Sequence, residues 1–166
     1  MVPGTGQAWT GSTLTITPVS VGAVHTGMTL AQASQAAGEE IIEVGDGAAY
    51  AKGGSYYVGP AFVDLDQSKT VSCVGAGSDD SKSIVTTDGF KLGDSVDRLK
   101  QIYGSRLIYM PDPGHGISPK ASYVVEETNG YLAFWLNQDG AVHAIVGTPG
   151  QFDRTDAYAG SNACIA

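Results

Sequence analysis

The sequence predicts an α+β chain of two tandem helix-plus-antiparallel-sheet repeats, their strands forming one curved sheet with the helices packed on one face. Three observations lead there. A short helix with its start and stop written in occurs twice, the two starts lying 66 positions apart (95 − 29). Period-two hydrophobicity with hairpin turn signals follows the second copy clearly and the first more loosely. Glycine supplies 23 of the 166 residues, roughly twice its usual share, which suits a turn-rich fold. The division falls at 1–82 for the first repeat and 83–166 for the second, the latter ending in a tail, 151–166.

In the first repeat Thr13 to Thr17 alternates as a strand and leads into a helix over 29–37. Thr29 can accept a first-turn N–H, and Thr29-x-x-Gln32 is a capping box. Gly38 stands where a left-handed residue ends a helix at little cost. Leu30, Ala33, Ala36 and Ala37 form its buried stripe. Looser strands follow over Tyr56 to Leu65 and Thr70 to Val74. Gly75-Ala76-Gly77-Ser78-Asp79-Asp80-Ser81 reads as the connection between repeats, because small and acidic residues bury little.

The second repeat opens with Ile84 to Thr87 and a helix over 95–103, capped by Ser95 and closed by Gly104, with Val96, Leu99, Ile102 and Tyr103 on one side. A strand begins at Arg106 to Met110, then a Pro/Gly loop, then a meander. Asn129-Gly130 signals a two-residue turn with Thr128 opposite Tyr131. Asn137-Gln138-Asp139-Gly140 suits a three-residue turn with a left-handed glycine, which sets Leu136, Trp135 and Phe134 opposite Val142, His143 and Ala144. One face then carries Tyr123, Val125, Leu132, Phe134, Leu136, Val142, Ala144 and Val146 toward the helices. The other carries Tyr131, Ala133, Trp135, His143 and Ile145, with Glu126 and Thr128 alongside.

Composition excludes some functions. Nine Lys+Arg against 17 Asp+Glu leave a net charge of −8, and no basic run exists to follow a phosphate backbone, so a nucleic-acid partner is not expected. No apolar run reaches the roughly 18–20 residues of a membrane span. Cys73 and Cys164 lack any zinc-ligand spacing. They read either as two buried thiols or, preferred here, as a disulfide securing a tail with little else to pack it. Such a staple would contribute about 4–5 kcal/mol in the chain-entropy view and implies export to an oxidising compartment, with any signal removed and the chain either free or lipid-anchored.

The Gly27-Met28-Thr29 and Gly93-Asp94-Ser95 boxes, each opening a short helix that closes on glycine, followed by strands and repeated in one chain, resemble those of the β-lactamase inhibitory protein family. They are also similar to the small SmpA/OmlA-type envelope lipoprotein domain and to tandem-box secreted actinobacterial proteins. The resemblance implies a curved sheet with an aromatic-rich face free to hold a partner. The chain departs from the inhibitors in offering one tail-to-middle disulfide instead of a small disulfide loop within each repeat.

The chemistry expected is therefore recognition without catalysis, cofactor or metal. The chain is read as an extracellular or envelope-associated monomer, inhibitor-like or adaptor-like. Tyr131, Trp135, His143 and Tyr56 are the candidate partner face, an exposed aromatic anchor of the kind that dominates interfaces, unless another part of the chain covers it. The rival reading is a small esterase-like hydrolase using Ser95 or His115. Nucleophilic catalysis needs a base and an orienting acid within reach. The nearest Asp-to-His pair, Asp139 and His143, is one residue too long for the Asp-x-x-His of that family. His115 beside Asp112 has no second histidine at ligand spacing, and Asp64, Asp66, Asp79 and Asp80 lack the glycine-centred spacing of a calcium loop.

Overall fold

In the computed structural model, residues 6–45, 47–52, 60–77, 82–114 and 121–156 are described. Local signals place the two helices. Helix α1 (Leu30–Ala37) begins on Thr29, whose hydroxyl accepts the Gln32 N–H while the Gln32 side chain accepts the Thr29 N–H, and ends on left-handed Gly38. Helix α2 (Val96–Tyr103) begins on Ser95, whose Oγ accepts the Arg98 N–H at 3.1 Å, and buries Leu99 and Tyr103. A 3-10 turn, Gly104–Arg106, follows it.

Strands dominate the rest. They are β1 (Thr13–Thr17), β2 (Ser20–Val21), β3 (Val24–His25), β4 (Ile41–Gly45), β5 (Ala48–Ala51), β6 (Ala61–Leu65), β7 (Val71–Gly77), β8 (Ser83–Thr86), β9 (Ile108–Met110), β10 (Ala121–Glu127), β11 (Gly130–Leu136) and β12 (Val142–Pro149). Eight of them form one antiparallel sheet in the order β4-β5-β6-β7-β12-β11-β10-β9. The others form a second sheet, β3-β2-β1-β8, in which β1 and β8 run parallel.

This corrects the expected architecture. The fold is mostly β with two sheets, not two helix-plus-sheet repeats sharing one sheet. The reason is one of coverage. Eight strands spaced about 4.8 Å apart span roughly 34 Å, whereas an eight-residue helix is about 12 Å long. Helix α1 is also rich in alanine and reaches little beyond its own axis. The inner face of the large sheet is instead covered jointly by the small sheet and the helices. Trp9, Leu14, Ile16, Val21 and Val24 join Val63, Val74, Leu132, Phe134 and Ile145 in one buried cluster with Ala33, Leu99 and Tyr103. The Trp9 indole N–H donates to the Val21 carbonyl at 3.0 Å, satisfying the polar handle of a fully buried ring. Burial pushes the Tyr103 phenol up to about 12, and its hydroxyl donates to Thr86 Oγ1 at 2.8 Å.

Three local expectations are also corrected. Gly75-Ala76-Gly77 is the end of the central strand β7, not a connection; Ala76 is buried, and Phe62 lies where a side chain on Gly75 would stand. The β10–β11 turn is Thr128-Asn129, with Gly130 paired to Glu127 and Tyr131 to Glu126. A side chain at Gly130 would strike the Thr148 carbonyl and Pro18, so the glycine is required within the strand. This change moves the pairing by two positions and leaves the faces intact.

The third correction exchanges faces. Leu136 does pair with Val142, and the Asn137–Gly140 turn forms as read, with Asn137 Oδ1 accepting the Asp139 and Ala141 N–H groups. A bulge follows, so Trp135 pairs with Ala144, not His143, and Phe134 pairs with Ile145, not Ala144. One extra residue reverses the alternation beyond it. Ile145 therefore joins the inner core, while Ala144 and Val146 join the outer face. The shift also puts Gly147 on the inner face, where the Thr17-Pro18 corner lies against it.

Candidate functional site

The outer face of the large sheet gathers the aromatic residues. Leu132, Phe134 and Leu136 point inward, so the intervening Tyr131, Ala133 and Trp135 point outward. Across the sheet they are joined by Val124, Ala144, Val146, Cys73, Phe62 and Met110, with Tyr50 and Ile108 at the margins. The faces expected for Tyr131 and Trp135 thus hold. Of the two alternatives open for that face, the covered one is found: Trp135 is 3% and Tyr131 8% exposed.

A described part of this cover comes from the tail. Phe152 is 6% exposed and its ring stands 5.0 Å from that of Tyr131, tilted by 58°. The tail, 151–166, is expected to have little to pack it; in its described part, 151–156, Phe152 does pack. Phe62 and Phe152 are the aromatic members that sequence reasoning missed. Phe62 stands in a stretch, Tyr56 to Leu65, that reads as a strand, while Phe152 stands in no periodic pattern.

His143 sits half-buried at the bulge, and burial pushes its imidazole below the usual value. The folded chain therefore binds that proton less readily than the unfolded chain. This contribution to stability is present above about pH 6.5 and is lost as pH falls through the lowered value. Between pH 7 and pH 5 the melting temperature of the wild type should drop further than that of His143→Gln. Parallel curves would rule out His143 as the source.

Tyr56, His115 and Cys164, and with them the Cys73–Cys164 pairing, lie outside the described residues. Cys73 itself is fully buried on β7, within the outer cluster. Ser95 Oγ serves as the cap of α2, and Asp139 lies in the turn closed by Asn137. Asp66 is occupied by its own turn. Its carboxylate accepts the Thr70 hydroxyl at 2.7 Å and the Thr70 and Ser68 N–H groups, and the Thr70 hydroxyl is the chief cause holding it below the ordinary carboxylate range. Among the described residues no group of three or more His, Cys, Asp or Glu side chains could hold a metal ion, and no helix is long and apolar enough to cross a membrane.

The inner and outer faces also differ in how they are covered. Two structural layers, helices and the small sheet, lie over the inner face. On the outer face the described cover is the segment around Phe152. Comparison with protein-family models, with curated proteins and with solved structures finds no match to this chain.

Proposed function

We propose that the chain is a non-enzymatic recognition protein acting outside the cytoplasm, and that the outer face of its large sheet, centred on Tyr131 and Trp135, receives a protein partner. The observation that carries this reading is the composition of that face. An antiparallel sheet packed on one side ordinarily turns polar residues to the other. Here the second side is built from Phe62, Val124, Tyr131, Ala133, Trp135 and Val146, all of them buried, so that an apolar layer stands where a water-facing side would be polar. Aromatic residues of this kind anchor interfaces because they bury large areas with few rotatable bonds.

Two further features support the reading. The glycine-led helix boxes resemble those of a family whose members hold protein partners on a sheet. A Cys73–Cys164 disulfide, part of the same proposal, suits an oxidising compartment. The test is capture from an extracellular or envelope fraction with immobilised wild type and Trp135→Ala, after confirming that both melt cooperatively, followed by reconstitution with the purified partner. The expected result is a partner retained by the wild type and weakened at least about 30-fold by the substitution, as for a hot-spot aromatic. Equal retention by a folded Trp135→Ala protein would refute the sheet-face reading.

A further inference from the structure

The tip of the β10–β11 hairpin brings together two residues whose chemistry a recognition role leaves unused. Asn129 is exposed in the two-residue turn, and Gly130 follows it directly as the first residue of β11. Among the described residues nothing bonds to the Asn129 carboxamide. Asn137 sets the contrast. Its Oδ1 accepts the Asp139 and Ala141 N–H groups, and the residue after it is Gln138, whose side chain shields the intervening amide. At 130 the fold admits no such shield, because a β-carbon there would strike the Thr148 carbonyl and Pro18. The packing of β11 therefore keeps beside Asn129 the one residue type that leaves its backbone nitrogen uncrowded.

From this we infer that Asn129 is a site of spontaneous deamidation, which converts the hairpin tip to aspartate and isoaspartate. The Gly130 backbone nitrogen attacks the Asn129 Cγ and closes a five-membered succinimide. The bond from Cγ to the side-chain nitrogen breaks, and that nitrogen leaves as ammonia, taking through solvent the proton that Gly130 gave up. Water then adds at one of the two ring carbonyls. Its oxygen stays in the new carboxyl group, and a proton returns to the ring nitrogen as that C–N bond breaks. Breakage at Cγ gives aspartate. Breakage at the main-chain carbonyl gives isoaspartate, whose chain runs on through the β-carbon and is longer by one methylene. No oxidant or reductant is needed.

The ring closes only while the Glu127–Gly130 rung is open. Gly130 is buried, so that opening sets the rate, and the rung is the last of its ladder, where opening takes far less free energy than global unfolding. Either product sets a new carboxylate close to Glu126 and Glu127, whose cations are Arg154 and Arg106. Isoaspartate also lengthens a turn of two residues, next to the strand that carries Tyr131 and Trp135.

The inference stands apart from the recognition reading, and its test needs no partner. Folded wild type is incubated near neutral pH beside the same chain unfolded in urea, and mass-spectrometric peptide mapping follows each asparagine. Enzymatic methylation of isoaspartyl groups is the second readout. Asn129 of the folded protein is expected to convert within about tenfold of its rate in the unfolded chain, as a fraying rung allows, while Asn137 keeps its amide. Asn129→Gln, which would have to close a six-membered ring, is expected to lose the isoaspartate from this peptide. Conversion of Asn129 in the unfolded chain alone would overturn the proposal, since the Gly130 amide would then be locked. So would conversion of Asn137 at the same rate, or isoaspartate persisting in the same peptide of Asn129→Gln.

Discussion

Phe134→Ala is expected to cost about 3–5 kcal/mol, the usual toll for emptying a fully buried aromatic site. The ring of Phe134 meets that of Phe90 edge-on at 5.3 Å and that of Tyr103 at 5.6 Å. Those three rings join β11, the loop after β8 and the last turn of α2. A cavity there cannot be filled by its neighbours, because Tyr103 is tied to Thr86 through its hydroxyl and Phe90 is fixed by the Thr86–Phe90 turn. Thermal unfolding should shift down by roughly 10 °C for a chain of this size. A shift of only a degree or two would mean that the helix side of the sheet is loosely packed and that the inner cluster is not one core.

Gly147→Ala should be nearly as damaging, at about 3 kcal/mol, the upper end of what overpacking usually costs. A β-carbon there would overlap the Thr17 carbonyl oxygen and crowd the Pro18 backbone. Backbone atoms cannot swing away as a side-chain tip can, so the small sheet would have to lift from β12. Gly140→Ala provides the contrast: its φ is 80° but nothing lies within 4 Å of an added carbon, so only the conformational cost of about 1 kcal/mol applies. Chemical denaturation of both variants separates the two effects. Equal losses would show that the Thr17-Pro18 corner yields to the added carbon and that close contact between the sheets at Gly147 is not required.

What could be read from the chain depended on the distance over which each feature is decided. Helix ends rest on partners three residues apart, Thr29 with Gln32 and Ser95 with Arg98, and both stand where those residues put them. The inward and outward sides of β10 and β11 follow from alternation alone, which is why Tyr131 and Trp135 fall on the expected face. The bulge at His143 does not follow, because it brings Gly147 under Thr17 and Pro18, residues about 130 positions earlier. Gly75 misled for a similar reason: its missing side chain is replaced by Phe62 from the neighbouring strand. The small sheet escaped notice because β2 and β3 are two residues each and carry no period. The strands β4 and β5 were overlooked although Ile41, Ile42 and Val44 offered a β-branched run. The described cover over Tyr131 includes Phe152, which stands in a segment without pattern, and no local rule points to it.

The parallel pairing of β1 with β8 bears on how the chain assembles. Thr13 meets Ser83 and Ile16 meets Thr86, so the ladder closes a loop of 70 residues (83 − 13). Hairpins such as β10–β11 close within a few residues, and their entropy cost is correspondingly small. The long-range ladder must wait for the chain between its two strands to be organised, which places it late in folding and makes it a slow step. During synthesis β1 emerges with its apolar side chains, Leu14 and Ile16, long before β8 exists to flank it. Strand β1 is thus made well before its final neighbour, and its unpaired edge is a point at which a growing chain is open to wrong association.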